Sequence, residues 1–169
     1  MAIPEFVREL RNFVGPLPLW LSGVTAVVVD DDGRVLLGRR ADTGCWALIT
    51  GIIDPGEQPA DAAVRECFEE TGVVAVPERL AMVDVSGPVV HVNGDRAEYL
   101  QLTFRCRAVG GEARVNDDES LEVGWFHPDA LPAGLSPSAL KRLTCALGDA
   151  AEAQFELGGV PGGQSLRTR

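Results

Sequence analysis

The segment from Pro59 to Gly72 constrains this chain more than any other, because it predicts a helix that carries three glutamates on one side. Proline is favoured in the first turn of a helix and glycine just past its end, so these two residues mark its limits. At about 100° per residue, Glu66, Glu69 and Glu70 fall on one flank. Like charges at this spacing repel by roughly 0.2–0.5 kcal/mol per pair. Either the flank is an ordinary solvated surface, or a positive ion normally lies against it.

The opposite side of the same helix is predicted to be packed. Val64 and Phe68 point away from the glutamates at helical spacing, so they are expected to be buried. Ala62 and Ala63, one turn before the glutamates, are expected to leave open space on the acidic side. The sequence therefore predicts a helix with an apolar back and an accessible acidic front.

A divalent cation would explain the crowded carboxylates. Magnesium prefers oxygen ligands and is commonly held by a few carboxylates together with the phosphates of a substrate. Three acids alone favour the solvated surface, so the choice between the two interpretations depends on the segment that precedes the helix.

The chain from Gly51 onwards reads GIIDPGEQPADAAVRECFEETGV. In this segment Glu57, the pair Arg65-Glu66 and the pair Glu69-Glu70 follow the glycine at fixed distances. This pattern resembles the signature box of the Nudix hydrolases, the MutT-like pyrophosphohydrolases, at every fixed position over 23 residues. The tripeptides GRR and WAL before the box and the pair WF after it are also similar to the family. The resemblance extends over roughly residues 22 to 130.

The resemblance implies an enzyme that hydrolyses the pyrophosphate bond of a nucleoside diphosphate linked to another moiety, by attack of water at phosphorus. ADP-ribose, a nucleotide sugar or alcohol, and an oxidised nucleoside triphosphate all remain open as substrates, because the box handles the phosphates that they share. The implied cofactor is Mg²⁺, with Mn²⁺ as the alternative. The expected partner is a small nucleotide.

The resemblance also implies roles for individual residues of the box. Glu69 and Glu70 would be the principal metal ligands, and Glu66 would act as a ligand or as the general base. The carbonyl of Thr50, just before the box glycine, is a further candidate ligand. The family often has Pro-Gly-Gly there, and a positive φ would strain a threonine at this position.

One more carboxylate is expected from outside the box. Glu119 is the candidate, because it lies six residues before Trp125, where family members commonly carry such an acid. Asp117, Asp118 and Glu122 compete with it, and a solvated acidic turn explains the cluster equally well.

The remaining site residues are a brace and three substrate contacts. Arg65 and Glu57 would form an ion pair that orients the loop and the glutamates, and with Glu66 they make up the proposed catalytic set. Arg39 of the GRR tripeptide, His91 in the loop around Asn-Gly-Asp, and Tyr99 on the following strand are the candidate substrate contacts. A histidine in a surface loop more often has no functional role.

Charge and cysteine content limit the function further. The 169-residue chain has a formal charge of −10, which argues against a nucleic-acid polymer as partner, since such binding depends on basic side chains. Its four cysteines show no C-x-x-C pairing, so a disulfide framework or zinc site is not expected and a cytoplasmic location is predicted. Neither a signal peptide nor an apolar run of membrane-spanning length is recognisable.

The expected fold class is α+β: a Nudix-type mixed β-sheet sandwiched between helices, with an added N-terminal helix. Residues 1–20 are predicted to form that helix and a connector, residues 21–157 the Nudix domain, and residues 158–169 a flexible tail. Two strands are predicted around Asp-Asp-Gly, and a C-terminal helix begins at the cap residue Ser136. The N-terminal helix is amphipathic and would cap the domain or meet a second copy in a homodimer.

Two other classes of protein compete with the enzyme. A non-catalytic Nudix-like domain that senses a nucleotide would be expected to lose glutamates of the box, whereas this chain keeps Glu57, Glu66, Glu69 and Glu70. A calcium-stabilised structural protein would not explain the glycines of the box or the spacing of its arginine. The enzyme is therefore the favoured interpretation.

Overall fold

The computed structural model describes residues 3–91 and 93–158. Three helices and eight strands follow one another along this part of the chain: α1 (Glu5–Val14), β1 (Leu19–Val29), β2 (Val35–Arg40), β3 (Trp46–Ala47), β4 (Ile49–Ile52), α2 (Pro59–Thr71), β5 (Val73–Val90), β6 (Arg96–Gly111), β7 (Ser120–Phe126), α3 (Pro137–Leu147) and β8 (Gln154–Phe155).

The strands form one mixed sheet, as predicted. Its main path runs β3-β2-β1-β6-β5-β8, while β4 pairs with β1 and β7 pairs with β2. β1 and β6 are parallel, and β5 and β6 form a long antiparallel pair. β1 carries a nearly continuous apolar run and is buried from Gly23 to Val29, which is typical of a strand covered on both faces.

Helices cover both faces of the sheet, which confirms the predicted sandwich. Successive side chains of a strand point to opposite faces. Val24, Ala26 and Val28 of β1 therefore pack on the side of α2, whereas Val27 and Val29 pack on the side of α3. α1 covers a third cluster near the start of β1.

The predicted limits of α2 are confirmed. Pro59 occupies the first turn, and Gly72 ends the helix in the left-handed conformation at φ 70°, with its N–H donating to the carbonyl of Phe68. Glycine adopts this conformation without the steric cost that a side chain would add.

The prediction that Val64 and Phe68 are buried is wrong. Phe68 is 48% exposed and Val64 only half-buried, whereas Ala62 and Ala63 are fully buried against the sheet. The two alanines have small side chains, so the helix backbone can approach the strands closely along this side. The acidic flank is consequently turned partly toward the sheet, and its glutamates differ strongly in exposure.

Two loop predictions also need correction. The segment predicted as a connector contains the start of β1, because Leu19 pairs with Ala97 of β6. The segment from residue 88, predicted as a loop or a hairpin tip, is the tip of the β5–β6 hairpin, and it is shorter than expected because β5 continues to Val90, which pairs with Arg96. In both cases a strand continues for as long as its partner offers backbone hydrogen bonds.

The ends of the chain follow the predictions where they are described. α1 is a ten-residue helix, and Ser136 caps α3 by accepting a hydrogen bond from the N–H of Ala139. The predicted flexible tail falls almost wholly on residues 159–169, which lie outside the described residues. None of the helices in the described ranges has the length and apolar character that crossing a membrane requires.

Candidate active site

Arg65 braces the loop before α2. Its guanidinium donates to both carboxylate oxygens of Glu57, at 2.7 and 2.9 Å, and to the carbonyl of Ile52 at 3.2 Å. This paired hydrogen bond lowers the pKa of Glu57, and that carboxylate also accepts the N–H of Asp54 at 3.1 Å. The predicted ion pair is therefore present, and it holds both ends of the loop.

The same guanidinium reaches two glutamates of α2. One nitrogen of Arg65 lies 2.8 Å from Glu66 Oε1 and 3.1 Å from Glu69 Oε2. The side chain of Glu66 is 13% exposed, whereas that of Glu69 is 55% exposed. Burial raises the pKa of Glu66, and the contact with Arg65 opposes this shift. Arg65 thus joins the loop and two acids of the flank in one network.

Gly51 makes room for the carboxyl group of Glu66. A Cβ at Gly51 would overlap Cγ, Cδ and Oε1 of that side chain. Gly51 lies in β4 opposite Val24 of β1, on the face of the sheet that α2 covers. The box glycine is therefore required by close approach of a side chain, and no positive φ is involved.

Glu70 is the most strongly perturbed acid of the site. Burial raises its pKa to about 8, and the nearby charges of Glu66 and Asp117 add to the shift. No hydrogen bond reaches its carboxylate from any described residue, and the charge of Arg40 compensates only in part. A half-buried, crowded carboxylate that has no donor among the described residues is in an environment that a cation would stabilise.

An open cleft of about 470 Å³ passes along this network. α2 lines it with Arg65, Glu66 and Glu69, and the preceding segment lines it with Ile52, Asp54 and Pro55. The opposite wall comes from the first residues of α1, and Glu119 lines the cleft as well. We refer to this space as the α1–α2 cleft.

Glu119 is the predicted acid that the fold brings to the cleft from outside the box. Its backbone carbonyl accepts the N–H of Ala41 at 2.8 Å, which ties its turn to the end of β2. Asp117 accepts the N–H of Glu119 at 3.0 Å, and burial raises the pKa of Asp117. Glu122, another competitor, forms an exposed ion pair with Arg39 at 3.2 Å.

Thr50 is not strained. It lies in β4 opposite Thr25 of β1, and none of the described residues other than glycine has a positive φ. The expectation of strain at this position is wrong, because the segment continues as regular strand up to the box glycine. Its carbonyl therefore stays a candidate ligand.

The three candidate substrate contacts do not line the α1–α2 cleft. The hydroxyl of Tyr99 is hydrogen-bonded to Nε2 of His91 at 2.8 Å, and Tyr99 is only 9% exposed. Arg39 donates to the carbonyl of Gly44 at 3.0 Å and pairs with Glu122. Each side chain thus has protein partners of its own.

Sequence reasoning did not place the first turn of α1 at the site. Pro4, Glu5 and Phe6 line the cleft opposite the glutamates. Arg40, the neighbour of the predicted Arg39, is the arginine whose charge acts on Glu70. The amphipathic pattern of α1 predicted a helix with a buried side, but nothing local to it indicated what that side would meet.

The donor set fits a hard divalent cation. Carboxylate and carbonyl oxygens are the ligands that Mg²⁺ and Mn²⁺ prefer, and Glu70 offers oxygens that accept no hydrogen bond from the described residues. No cluster of three acidic, histidine or cysteine side chains is already gathered for a metal in the described ranges. Arg65 instead holds oxygens of Glu66 and Glu69.

Comparison with known proteins agrees with this geometry. The NUDIX domain family model matches residues 20–146. A MutT-like protein of Streptomyces ambofaciens is 37% identical over 130 residues, which cover 77% of this chain and 79% of the relative. A putative 8-oxo-dGTP diphosphatase of Bacillus subtilis is 28% identical over 74% of this chain and 78% of its own length.

A solved structure shows the same architecture. The ADP-ribose pyrophosphatase of Streptococcus suis matches with a TM-score of 0.60 and 26% sequence identity, covering 83% of this chain and 100% of that one. The similarity therefore extends over most of the chain.

Proposed function

Because the chain belongs to the Nudix hydrolase family, we propose that it hydrolyses the pyrophosphate bond of a nucleoside diphosphate linked to another moiety, with a divalent cation as cofactor. One observation carries the proposal. Glu66 and Glu69 share one arginine at the α1–α2 cleft, and Glu70 is half-buried on the same helix without a hydrogen-bond donor among the described residues.

A bound cation would explain why a protein that acts on anionic substrates has an acidic site. When bound, Mg²⁺ or Mn²⁺ would supply positive charge to the phosphate oxygens and lower the pKa of water. Glu69, Glu70 and the Thr50 carbonyl would hold it, with Glu119 as the ligand from outside the box.

The remaining roles fall to Glu66 and its brace. Glu66 would serve as a ligand or accept the proton of the attacking water, and burial raises its pKa, which makes the carboxylate a stronger base. Arg65 and Glu57 would position it by fixing the loop and the first turns of α2. The predicted substrate contacts would touch only those parts of a substrate that extend beyond the cleft; these contacts are Arg39, His91 and Tyr99.

The substrate class is a nucleoside diphosphate derivative such as ADP-ribose or a nucleotide sugar. The structural relative is an ADP-ribose pyrophosphatase, and the Bacillus subtilis relative bears the name of an 8-oxo-dGTP diphosphatase. We prefer the diphosphate derivative, because the structural relative bears the name of an ADP-ribose pyrophosphatase and the α1–α2 cleft is open, with a volume of about 470 Å³.

Three further proposals concern the whole chain. Residues 21–157 would form the catalytic domain, with α1 and the connector as an addition to it. The exposed side chains of Leu10 and Phe13 on α1 would support a homodimer. The four cysteines are all unpaired, which suits the reducing cytoplasm.

A substrate screen tests the proposal. The purified protein is incubated with ADP-ribose, nucleotide sugars and 8-oxo-dGTP, with Mg²⁺ or with EDTA, and products are identified by mass. We expect cleavage of a pyrophosphate bond that requires the cation. Glu70→Gln should abolish turnover while the fold is kept, and Glu112→Gln, an exposed glutamate outside the site, should change nothing. Full activity of Glu70→Gln would refute the metal assignment, and nucleotide binding without turnover would identify a sensor.

A further inference from the structure

The α1–α2 cleft has two chemically different parts. The side of α2 presents Arg65, Glu66 and Glu69, which suits a diphosphate held through a cation. The side of α1 presents Pro4, the exposed carboxylate of Glu5, and Phe6, which packs against the buried cluster that contains Ile52. A ligand that fits both parts joins a diphosphate to a group that has an apolar face.

Phe6 is the aromatic side chain that the cleft offers. It is half-buried and lies in the first turns of α1. The other aromatic residues considered have partners elsewhere, since Trp46 packs edge-on against Phe126 at 4.8 Å between ring centroids and Tyr99 is hydrogen-bonded to His91. An aromatic face at the cleft wall can stack on a planar ring of a ligand.

The wall that carries Phe6 is anchored from two sides. Val7, the next residue, is 4% exposed and packs with Leu21 and Tyr99 in the core under α1. Arg11, one turn further, donates to the carbonyl of Arg96 at 2.7 Å and so fastens the helix to the β5–β6 hairpin. Phe6 is therefore held at a fixed distance from the glutamates, as a specificity-determining residue requires.

We propose that Phe6 determines specificity by stacking on the nucleobase of a substrate whose diphosphate lies at the glutamates of α2. The inference rests on the proposed function, which it extends by assigning the nucleoside to the side of α1. Stacking of a base on an aromatic side chain tolerates different bases, so the contact selects a nucleotide over a diphosphate without a base.

Two matched ligands that resist hydrolysis separate this contact from binding of the phosphates. The nucleotide probe is α,β-methylene-ADP, and methylenediphosphonate is the probe without a nucleoside. Both are titrated with Mg²⁺ against the full chain by calorimetry. We expect Phe6→Ala to weaken binding of the nucleotide probe roughly 5- to 100-fold, while methylenediphosphonate binds as to the wild type.

Further variants keep the test interpretable. Phe6→Leu retains apolar packing but lacks a ring, so it should show the same selective loss, whereas Phe6→Tyr should keep the affinity. Phe155→Ala, at a residue of β8 that is 71% exposed and does not line the cleft, is the control without effect. Thermal unfolding checks that each variant is folded.

Three results would overturn the proposal: unchanged nucleotide affinity in Phe6→Ala, an equal loss for both probes, or equal affinity of the wild type for both probes. These results are distinct from failure of the proposed function. A wild type that binds the nucleotide probe through Phe6 but cleaves no pyrophosphate bond would contradict only the hydrolase assignment.

Discussion

The carboxyl group of Glu66 lies in the space that a side chain at Gly51 would fill. Gly51 belongs to β4, and Glu66 reaches it from α2, so helix and strand meet here at their closest approach. The glycine of the box therefore acts through its missing side chain. It lets an acid of the helix enter the sheet edge beside the loop that Arg65 and Glu57 fix.

Gly51→Ala should displace Glu66 and reduce kcat by about 100-fold or more, because small misplacements of a catalytic group are costly. The added methyl group overlaps a partly buried side chain, so we also expect a loss of about 1–3 kcal/mol in the free energy of unfolding. Steady-state kinetics and urea unfolding measure the two effects. Gly110→Ala is the control, because a Cβ there meets no atom within 4 Å. Normal kinetics in Gly51→Ala would show that the position of Glu66 is not critical.

Arg65→Lys should lower activity about 10- to 100-fold although the positive charge remains. The guanidinium contacts Glu57, Glu66 and Glu69 together, and an ammonium group cannot reproduce this planar fork. When activity is measured as a function of Mg²⁺ concentration, the variant should need a higher Mg²⁺ concentration for half-maximal activity, because it binds the cation more weakly. Arg107→Lys, in an exposed ion pair with Glu78, should leave activity unchanged. If Arg65→Lys were as active as Arg107→Lys, the guanidinium of Arg65 would have no role beyond its positive charge.

The limits of α2 could be predicted because they depend on local backbone chemistry. Proline at the start and glycine in the left-handed conformation at the end act within one turn. The buried side of the helix could not be predicted in this way. Ala62 and Ala63 are buried against the sheet and Phe68 is exposed, because the small alanine side chains allow the helix backbone to lie close to the strands.

The composition of the site was predictable to the extent that it is local in sequence. The box brings its acids together within one loop and one helix. Phe6 joins them only because α1 packs across the start of β1, and His91 contacts Tyr99 only because of the register of β5 against β6. Such long-range contacts follow from tertiary packing and leave no mark in the spacing of a single segment.

Glu119→Gln should lower kcat by about tenfold or more, with a smaller change in KM. Glu119 lines the α1–α2 cleft together with Glu66, and Asp117 accepts the N–H of Glu119 without lining that cleft. The amide keeps the shape of the side chain and removes its charge. Asp117→Asn is the matched comparison and should have the weaker effect on kcat. A reversed order would assign the outer carboxylate to Asp117.

Asp84→Ala should cost about 3–5 kcal/mol in the free energy of unfolding, because it leaves a buried arginine without its partner. Arg142 of α3 donates to both oxygens of Asp84, at 3.2 and 3.0 Å, and the two side chains are only 8% and 7% exposed. Replacing both, as Asp84→Leu with Arg142→Met, should restore much of the loss, since no isolated charge remains. Urea unfolding measures all three proteins. Glu122→Ala removes the exposed partner of Arg39 and should change stability by less than about 1 kcal/mol. A similarly small effect of Asp84→Ala would mean that water reaches Arg142 and that α3 is not held by this pair.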